Sequence, residues 1–502
     1  MTKKQIALIV LDGWGYREDK KDNAIAQANK PLFDSIWNKY PHTTLKASGL
    51  AVGLPEGQIG TSEVGHMIIG AGKIIDEDLV RINKAVSSGE FAKNTTFQPL
   101  FEHVKKNNST LHVEGLVSPG GVHSHISHLF AFLKTAKENG IKKIAIHIIT
   151  DGRDTPPQSG ADSIKELEDF IEKLGVGEIA SVSGRIYAMD RDKRWERLAL
   201  TEEGIYYGKG PICNISPSLY VENLYKENKM DEYLEPFVCL KKDGTTFTLE
   251  KGDGFFLFNF RADRMRMPTQ RILEKSKTDD IYLVTMTEYG KEFDCPAVFP
   301  PIKITTTLGK VISDNNLTQA HIAETEKFAH ATYFLNCGEE TPYKGEEQII
   351  VPSKREVLTY NLAPKMSAEE VANVAIEQIN KGTDFIFVNF ANADMVGHTS
   401  DVPAIIIAVE EIDKQLGRIL KALEPKNGIA CITADHGNAE INVNQETGVK
   451  STSHTLSLVP FIVTDMVGQL HEGTLADIAP TILYLLKLPQ PQEMTGGNLI
   501  NT

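Results

Sequence analysis

Ile6-Ala7-Leu8-Ile9-Val10-Leu11-Asp12-Gly13-Trp14-Gly15 is a run of apolar residues stopped by an acid and two glycines. Such a run reads as a strand buried on both faces, as in a parallel sheet covered by helices. An acid at its C-terminal end stands where α/β folds bind ligands, although Asp-Gly alone is also a common turn. The design returns twice. Phe385 to Phe390 runs into Ala391-Asn392-Ala393-Asp394-Met395-Val396-Gly397-His398, and Ile429 to Thr433 into Ala434-Asp435-His436-Gly437-Asn438. Ser453-His454-Thr455 precedes a last apolar run, Val459 to Val463. Lys30 to Tyr40 reads as a helix. Asp401 and Pro403 open another, with apolar residues at Ile405, Val409, Ile412, Leu416, Ile419 and Leu423.

The middle of the chain alternates in the same way but ends its strands differently. Leu111 to Val117 leads into Ser118-Pro119-Gly120-Gly121-Val122-His123, and Lys143 to Thr150 into Asp151-Gly152-Arg153-Asp154-Thr155. Ile179 to Ser183 leads into Gly184-Arg185, and Phe255 to Phe260 into Arg261-Ala262-Asp263-Arg264. Asp190-Arg191-Asp192-Lys193-Arg194 is placed in a helical stretch, and Phe299-Pro300-Pro301 reads as a linker. Alternating strands and helices predict an α/β fold with largely parallel sheets. Two α/β domains are expected: a discontinuous one over 1–76 and 302–502, and one inserted at 77–298. Hinges are expected near residues 76 and 300.

A chain of 502 residues can bury two large cores. Its net charge of −14 excludes a general nucleic-acid binder, which needs a basic face. Five scattered cysteines without a C-x-x-C fit reduced thiols in a cytoplasmic protein. The N-terminal apolar run is too short for a signal segment and no later run spans a membrane, so a cytoplasmic location is expected.

Ile59-Gly60-Thr61-Ser62-Glu63-Val64-Gly65-His66 places a serine at the start of a predicted helix, where free N–H groups and the dipole favour an anion. Most Gly-Thr-Ser runs merely cap helices. Here the strand-end residues Asp12, Asp394, His398, Asp435, His436 and His454 join Ser62 in a set of seven oxygen and nitrogen donors, too many for one ion and suited to two. Carboxylate with imidazole suits Mn²⁺ or Zn²⁺ better than Ca²⁺. Paired metals can clamp the attacking and leaving oxygens of a phosphoryl transfer. In the middle segment Arg153, Arg185, Arg191, Arg261 and Arg264, with His123, offer bidentate donors to phosphate or carboxylate. Asp154 among them is a candidate acid/base. Lys327 is a candidate phosphate contact, although by sequence alone it resembles any surface lysine.

The motifs around Asp12, Ser62, Asp151, Asn259, Asp394 and Asp435, in that order, resemble those of the cofactor-independent phosphoglycerate mutases of the alkaline phosphatase superfamily, over essentially the whole chain. The resemblance implies an alkaline-phosphatase-like domain carrying an inserted phosphotransferase domain. It implies an isomerase that interconverts 3-phosphoglycerate and 2-phosphoglycerate through a phosphoserine on Ser62. One metal would be held by Asp394, His398 and His454, the other by Asp12, Ser62, Asp435 and His436. His123, Arg153, Asp154, Arg185, Arg191, Arg261, Arg264 and Lys327 would bind phosphoglycerate, with Asp154 handling hydroxyl protons. The implied cofactors are two Mn²⁺ ions, without 2,3-bisphosphoglycerate, and the implied state is a monomer. A phosphopentomutase or another metal-dependent phosphotransferase of the superfamily is the nearest rival. Three positions depart from the pattern: Thr61 where Asn is expected, Ala393 where Pro is common, and Cys337 where Gly is common.

Three of the implied ligands are histidines, which bind metal only when neutral. Activity should therefore fall as pH approaches the free imidazole value of roughly 6.5. Excess Mn²⁺ should move that acid limb to lower pH in a steady-state rate profile. A limb indifferent to metal concentration would point to another titrating group.

Overall fold

A computed structural model describes residues 4–444 and 447–501. The chain forms two compact units, Met1–Glu77 with Lys303–Thr502, and Asp78–Ile302. Each is built on its own eight-stranded sheet.

In the first unit the strand order is Glu346–Val351, Gln319–Glu324, Phe385–Phe390, Ile6–Leu11, Ile429–Thr433, Val459–Val463, His42–Lys46 and Gly473–Thr474. The first five strands are parallel, and Val459–Val463 runs antiparallel to both neighbours. The three strands that end before acids therefore lie side by side at the centre. Their register is level: Ile6 faces Phe385 on one side and Ile429 on the other. Every residue of these three strands is buried, which is why their sequences are continuous apolar runs rather than alternating ones. Level register brings Asp12, Asp394 and Asp435 out at one edge.

Two helices complete that edge. Asp401 caps the Val402–Leu423 helix, whose Ile405, Val409, Ile412, Leu416 and Ile419 are buried as the spacing predicts. The Ser62–Ala71 helix begins as expected, with the Thr61 side chain accepting from the Val64 N–H. Gly65 lets this helix approach the end of the Ile429–Thr433 strand. A Cβ at that position would lie 2.8 Å from the Asp435 carbonyl oxygen. Of the departures from the family pattern, Thr61 supplies the cap, Ala393 is buried in the short Asn392–Gly397 helix, and Cys337 takes the left-handed backbone (φ 54°) that glycine adopts freely.

In the second unit the order is Ala297–Phe299, Tyr282–Thr287, Gly254–Leu257, Leu111–Leu116, Ile144–Thr150, Glu178–Gly184, Phe237–Cys239 and Ile212–Cys213. All pairs are parallel except Glu178–Gly184 with Phe237–Cys239. Phe97, Phe132 and Phe256 pack one face, with the Phe132 and Phe256 rings 4.1 Å apart.

Two expectations are corrected here. Asp190–Arg194 is not helical: it links the Arg185–Ala188 helix to the Trp195–Tyr207 helix. The Asp190 carboxylate accepts from the Asp192 and Arg194 N–H groups, a local closure that competes with helix. The Phe255–Phe260 strand stops at Leu257. Beyond it Asn259 accepts from the Leu116 N–H through its side chain, and the Phe260 and Arg261 N–H groups turn to the His123 carbonyl. Among the described residues no helix is long and apolar enough to cross a membrane.

Gly65→Ala should strain the seat of the Ser62 helix, at about 1–3 kcal/mol for an overpacked contact. That corresponds to a melting temperature lowered by roughly 2–10 °C in calorimetry. An unchanged melting temperature would mean that the helix shifts freely.

Candidate metal centre and arginine cluster

The acids at the three central strand ends converge on Ser62. Asp12, Asp435 and His436 are fully buried, and Ser62 and Asp394 nearly so. The Lys327 ammonium stands in their midst, 2.6 Å from Asp12 Oδ1, 2.7 Å from Ser62 Oγ and 2.6 Å from Asp394 Oδ2. Ser62 Oγ lies 2.9 Å from His436 Nε2. On the outer side, His398 Nε2 and His454 Nε2 each approach Asp394 Oδ1 at 3.2 Å. Asp394 and His398 share a face because the Asn392–Gly397 turn is helical and His398 caps it.

The surroundings fix which atoms point inward. His398 Nδ1 faces the Thr452 carbonyl at 2.7 Å, His454 Nδ1 the Gly60 carbonyl at 2.8 Å, and His436 Nδ1 the Gly437 carbonyl at 3.3 Å. A carbonyl only accepts, so each Nδ1 carries a proton and each Nε2 is turned toward the centre, the orientation found around metal-bound histidines. Asp435 Oδ2 is buried without a well-aligned hydrogen bond, its nearest polar neighbours being His66 Nδ1 and His436 Nε2, both at 3.4 Å. Such a carboxylate oxygen amid oriented imidazoles fits a divalent cation. Asp394, His398 and His454 bring donor atoms within 4.8 Å of one another, as do Asp12, Asp394 and His436. His66 meets the same distance test with Asp12 and Asp435. It is a poorer ligand, because Nδ1 is taken by the Ser62 carbonyl at 2.8 Å and Nε2 by the Asn389 amide at 3.0 Å.

Electrostatics explains the lysine. Burial disfavours its ammonium, but Asp12, Asp394 and Asp435 outweigh burial and raise its pKa, so it stays charged. Burial also works against ionisation of Asp394, yet Lys327 and the hydrogen bonds from His398 and His454 hold its carboxyl well below the usual range. Asp12 moves the other way, raised by burial and by the charge of Asp435. Lys327 is thus a buried counter-ion rather than the surface lysine its sequence context resembles.

The second unit assembles the other predicted residues. Arg185 is buried, with Nη1 2.6 Å from both Asp151 Oδ1 and Asp154 Oδ2. His123 Nε2 lies 3.8 Å from Asp154 and Nδ1 4.0 Å from Asp263. Asp263 also pairs with Arg191 and Arg261 at 3.3 and 3.0 Å. Arg153 pairs with Glu232, and Arg264 donates to the Met189 carbonyl. Burial and the charges of Arg185, Arg191 and Arg153 lower the Arg264 pKa, so these four guanidinium groups are close together. His123 Nδ1 and Arg185 Nε are buried without partners, which marks a site built for a polar ligand. Burial and Arg185 push His123 down to about 4, leaving it neutral near pH 7.

Four contributors escape the motif reading. Asn389, the polar residue inside the apolar Phe385–Phe390 run, donates to Asp12 Oδ2 at 2.8 Å, and His66 bonds Asn389. Asn438 donates to Asp394 Oδ1 at 2.8 Å. Glu440 is fully buried and ties three loops, accepting from the Gly15 and Asn438 N–H groups and from the Thr455 hydroxyl. A polar residue in an otherwise apolar strand was the available signal for Asn389.

Lys327→Met should leave three buried carboxylates without a cation. In chelator, about 3–5 kcal/mol is expected from breaking such a cluster. That should appear as a melting temperature lower by on the order of 10 °C, partly restored by added divalent ion. Equal melting temperatures in chelator would show that the acids are protonated instead.

The family model described as Metalloenzyme superfamily matches residues 4–490. The chain is 47% identical over 510 residues to the 2,3-bisphosphoglycerate-independent phosphoglycerate mutase of Clostridium botulinum (strain ATCC 19397 / Type A), covering 100% of both chains. It is 46% identical over 516 residues to the enzyme of that name from Clostridioides difficile (strain 630), again covering 100% of both. Among solved structures, the phosphoglycerate mutase of Leishmania mexicana, determined at low cobalt concentration, is 29% identical with a TM-score of 0.55, covering 100% of this chain and 98% of its own. With full-length likeness joined to an acid–histidine centre around a buried serine, the chain belongs to the Metalloenzyme superfamily and, within it, to the 2,3-bisphosphoglycerate-independent phosphoglycerate mutases.

Proposed function

We propose that this protein is an isomerase that interconverts 3-phosphoglycerate and 2-phosphoglycerate, with Ser62 carrying the phosphate between the two positions. The observation that carries the reading is Ser62 Oγ held by Lys327 and His436 within a buried set of acids and imidazoles. Asp394, His398 and His454 would hold one divalent ion, and Asp12, Ser62, Asp435 and His436 the other, with Mn²⁺ the expected metal. When bound, such ions supply Lewis-acid charge at the reacting oxygens and make a serine alkoxide accessible at neutral pH.

The chain's own residues account for the rest. Ser62 sits at the first turn of its helix, whose N–H groups and dipole favour a phosphate. Its Oγ attacks phosphorus as the bond from phosphorus to the substrate oxygen breaks. Lys327 adds a fixed positive charge beside Ser62 Oγ. Asp154, held by Arg185, gives its proton to the departing oxygen and takes one from the neighbouring hydroxyl, whose oxygen attacks the phosphoserine as the bond from phosphorus to Ser62 Oγ breaks and Ser62 leaves as the alkoxide that began the cycle. His123, Arg153, Arg185, Arg191, Arg261 and Arg264 grip the carboxylate and hydroxyls of glycerate while it turns. No primer is needed, because the phosphate that leaves is the phosphate that returns. The protein would work as a cytoplasmic monomer on these small anions, without nucleic acid or membrane as partner.

The test uses a mixture of unlabelled 3-phosphoglycerate and substrate labelled in both phosphate oxygens and glycerate carbons. Mass spectrometry should find only fully labelled and fully unlabelled 2-phosphoglycerate, with no added 2,3-bisphosphoglycerate. Ser62→Ala should reduce turnover to background while its circular dichroism stays native. Scrambled species formed at the turnover rate would falsify the intramolecular route.

A further inference from the structure

We infer that Cys213 and Cys239 are a modification site, a dithiol that closes into a reversible disulfide by exchange with low-molecular-weight disulfides. They lie on the last two strands of the second unit's sheet, Ile212–Cys213 and Phe237–Cys239, which pair in parallel with Cys213 directly opposite Cys239. Backbone bonds frame the pair: the Val238 N–H donates to the Pro211 carbonyl and the Leu240 N–H to the Cys213 carbonyl. Adjacent strands stand ~4.8 Å apart. That is inside the range of roughly 4.4–6.8 Å between Cα atoms that a disulfide spans. In-register partners project to one face, so the strand pairing sets the two side chains side by side.

The chemistry of the two thiols differs. Cys213 Sγ reaches the Ile215 carbonyl at 3.2 Å. The hydrogen bond from Cys239 pulls the Cys213 thiol below its usual value, whereas that same bond and then burial push Cys239 up. Cys213 lies on the outermost strand and Cys239 one strand further in, so Cys213 is the sulfur that a reagent meets first and Cys239 the resolving one. Both thiols are buried, but they line a cleft of about 880 Å³ together with Glu168, Ser216 and Lys241. The outer strand has two residues and a neighbour on one side alone; its own Ile212 and the nearby Ile215 are 56% and 41% exposed. Brief fraying of such an edge admits a small reagent.

The steps balance as follows. The Cys213 thiolate attacks one sulfur of the small disulfide, forming a mixed disulfide and releasing one small thiolate. Cys239 gives its proton to solvent, and its sulfur attacks Cys213 Sγ and expels the second small thiolate. The protein loses two electrons and the reagent gains them. The segment that the new bond would tether carries Asp231, whose carboxylate caps the Gly160–Leu174 helix through the Ser159 and Gly160 N–H groups, and Glu232, the partner of Arg153. Closing this loop should stabilise the second unit.

The experiment treats metal-loaded, full-length enzyme with oxidised glutathione, alkylates the remaining thiols, and maps peptides without reductant. The expected product is a peptide pair joined through Cys213 and Cys239, lighter by two hydrogens and separated by dithiothreitol. The Cys239→Ala variant should instead retain a glutathione adduct on Cys213, and Cys213→Ser should give neither product. In the wild-type enzyme, a lasting adduct on Cys213, a bond from either residue to another cysteine, or reaction at Cys295 or Cys337 with none at this pair would each overturn the assignment.

Discussion

Three carboxylates buried within one hydrogen-bonded shell need a cation. Asp12, Asp394 and Asp435 are removed from water at the end of a sheet whose strands are themselves buried. Like charges so placed cannot all stay ionised without compensation. Lys327 answers part of that demand, touching Asp12 and Asp394 directly and acting on Asp435 at longer range. Burial and the Asp435 charge still raise the Asp12 carboxyl, so a further cation beside these acids would be favoured. Metal affinity follows from this demand more than from any one ligand.

The same constraint explains the scaffold. Acids can be concentrated at one place only if something rigid resists their repulsion. Parallel strands in level register do this, because their backbone ladders fix where each chain leaves the sheet. Around the exits, further buried side chains set the finer geometry. Asn389 orients Asp12, Asn438 orients Asp394, and Glu440 binds the loops that begin at Asp12, Asp435 and His454 into one body. None of the three needs to touch a substrate to matter, since orientation of the first ligands governs affinity.

The second unit solves a complementary problem. Its guanidinium groups repel one another, and burial together with the charges of Arg185, Arg191 and Arg153 lowers the Arg264 pKa. Asp151, Asp154, Asp263 and Glu232 hold them apart by pairing with Arg185, Arg191, Arg261 and Arg153. An anion with several oxygens can take over those pairings one by one, which favours a small polyanionic substrate over a single point charge. Neutral His123 adds a hydrogen-bonding group without adding to the positive charge.

Sequence alone determined the parts that depend on local periodicity. The Ile6–Leu11, Phe385–Phe390, Ile429–Thr433 and Val459–Val463 strands, the helix starts at Ser62 and Val402, and the acids that follow the strands are all readable, because burial on both faces leaves an unbroken apolar run. Strands with mixed composition, such as His42–Lys46 and Glu346–Val351, carry no such run and lie away from the buried centre of the sheet. The Asp190–Arg194 loop departs from the expected helix because one side chain closing on its own backbone outweighs a helical composition. Only the tertiary structure decided that Lys327 is a buried counter-ion, that His66 is spent on Ser62 and Asn389, and that Cys213 faces Cys239. Most of those facts join residues far apart in the chain. They are fixed by strand order and register, and no local pattern encodes either.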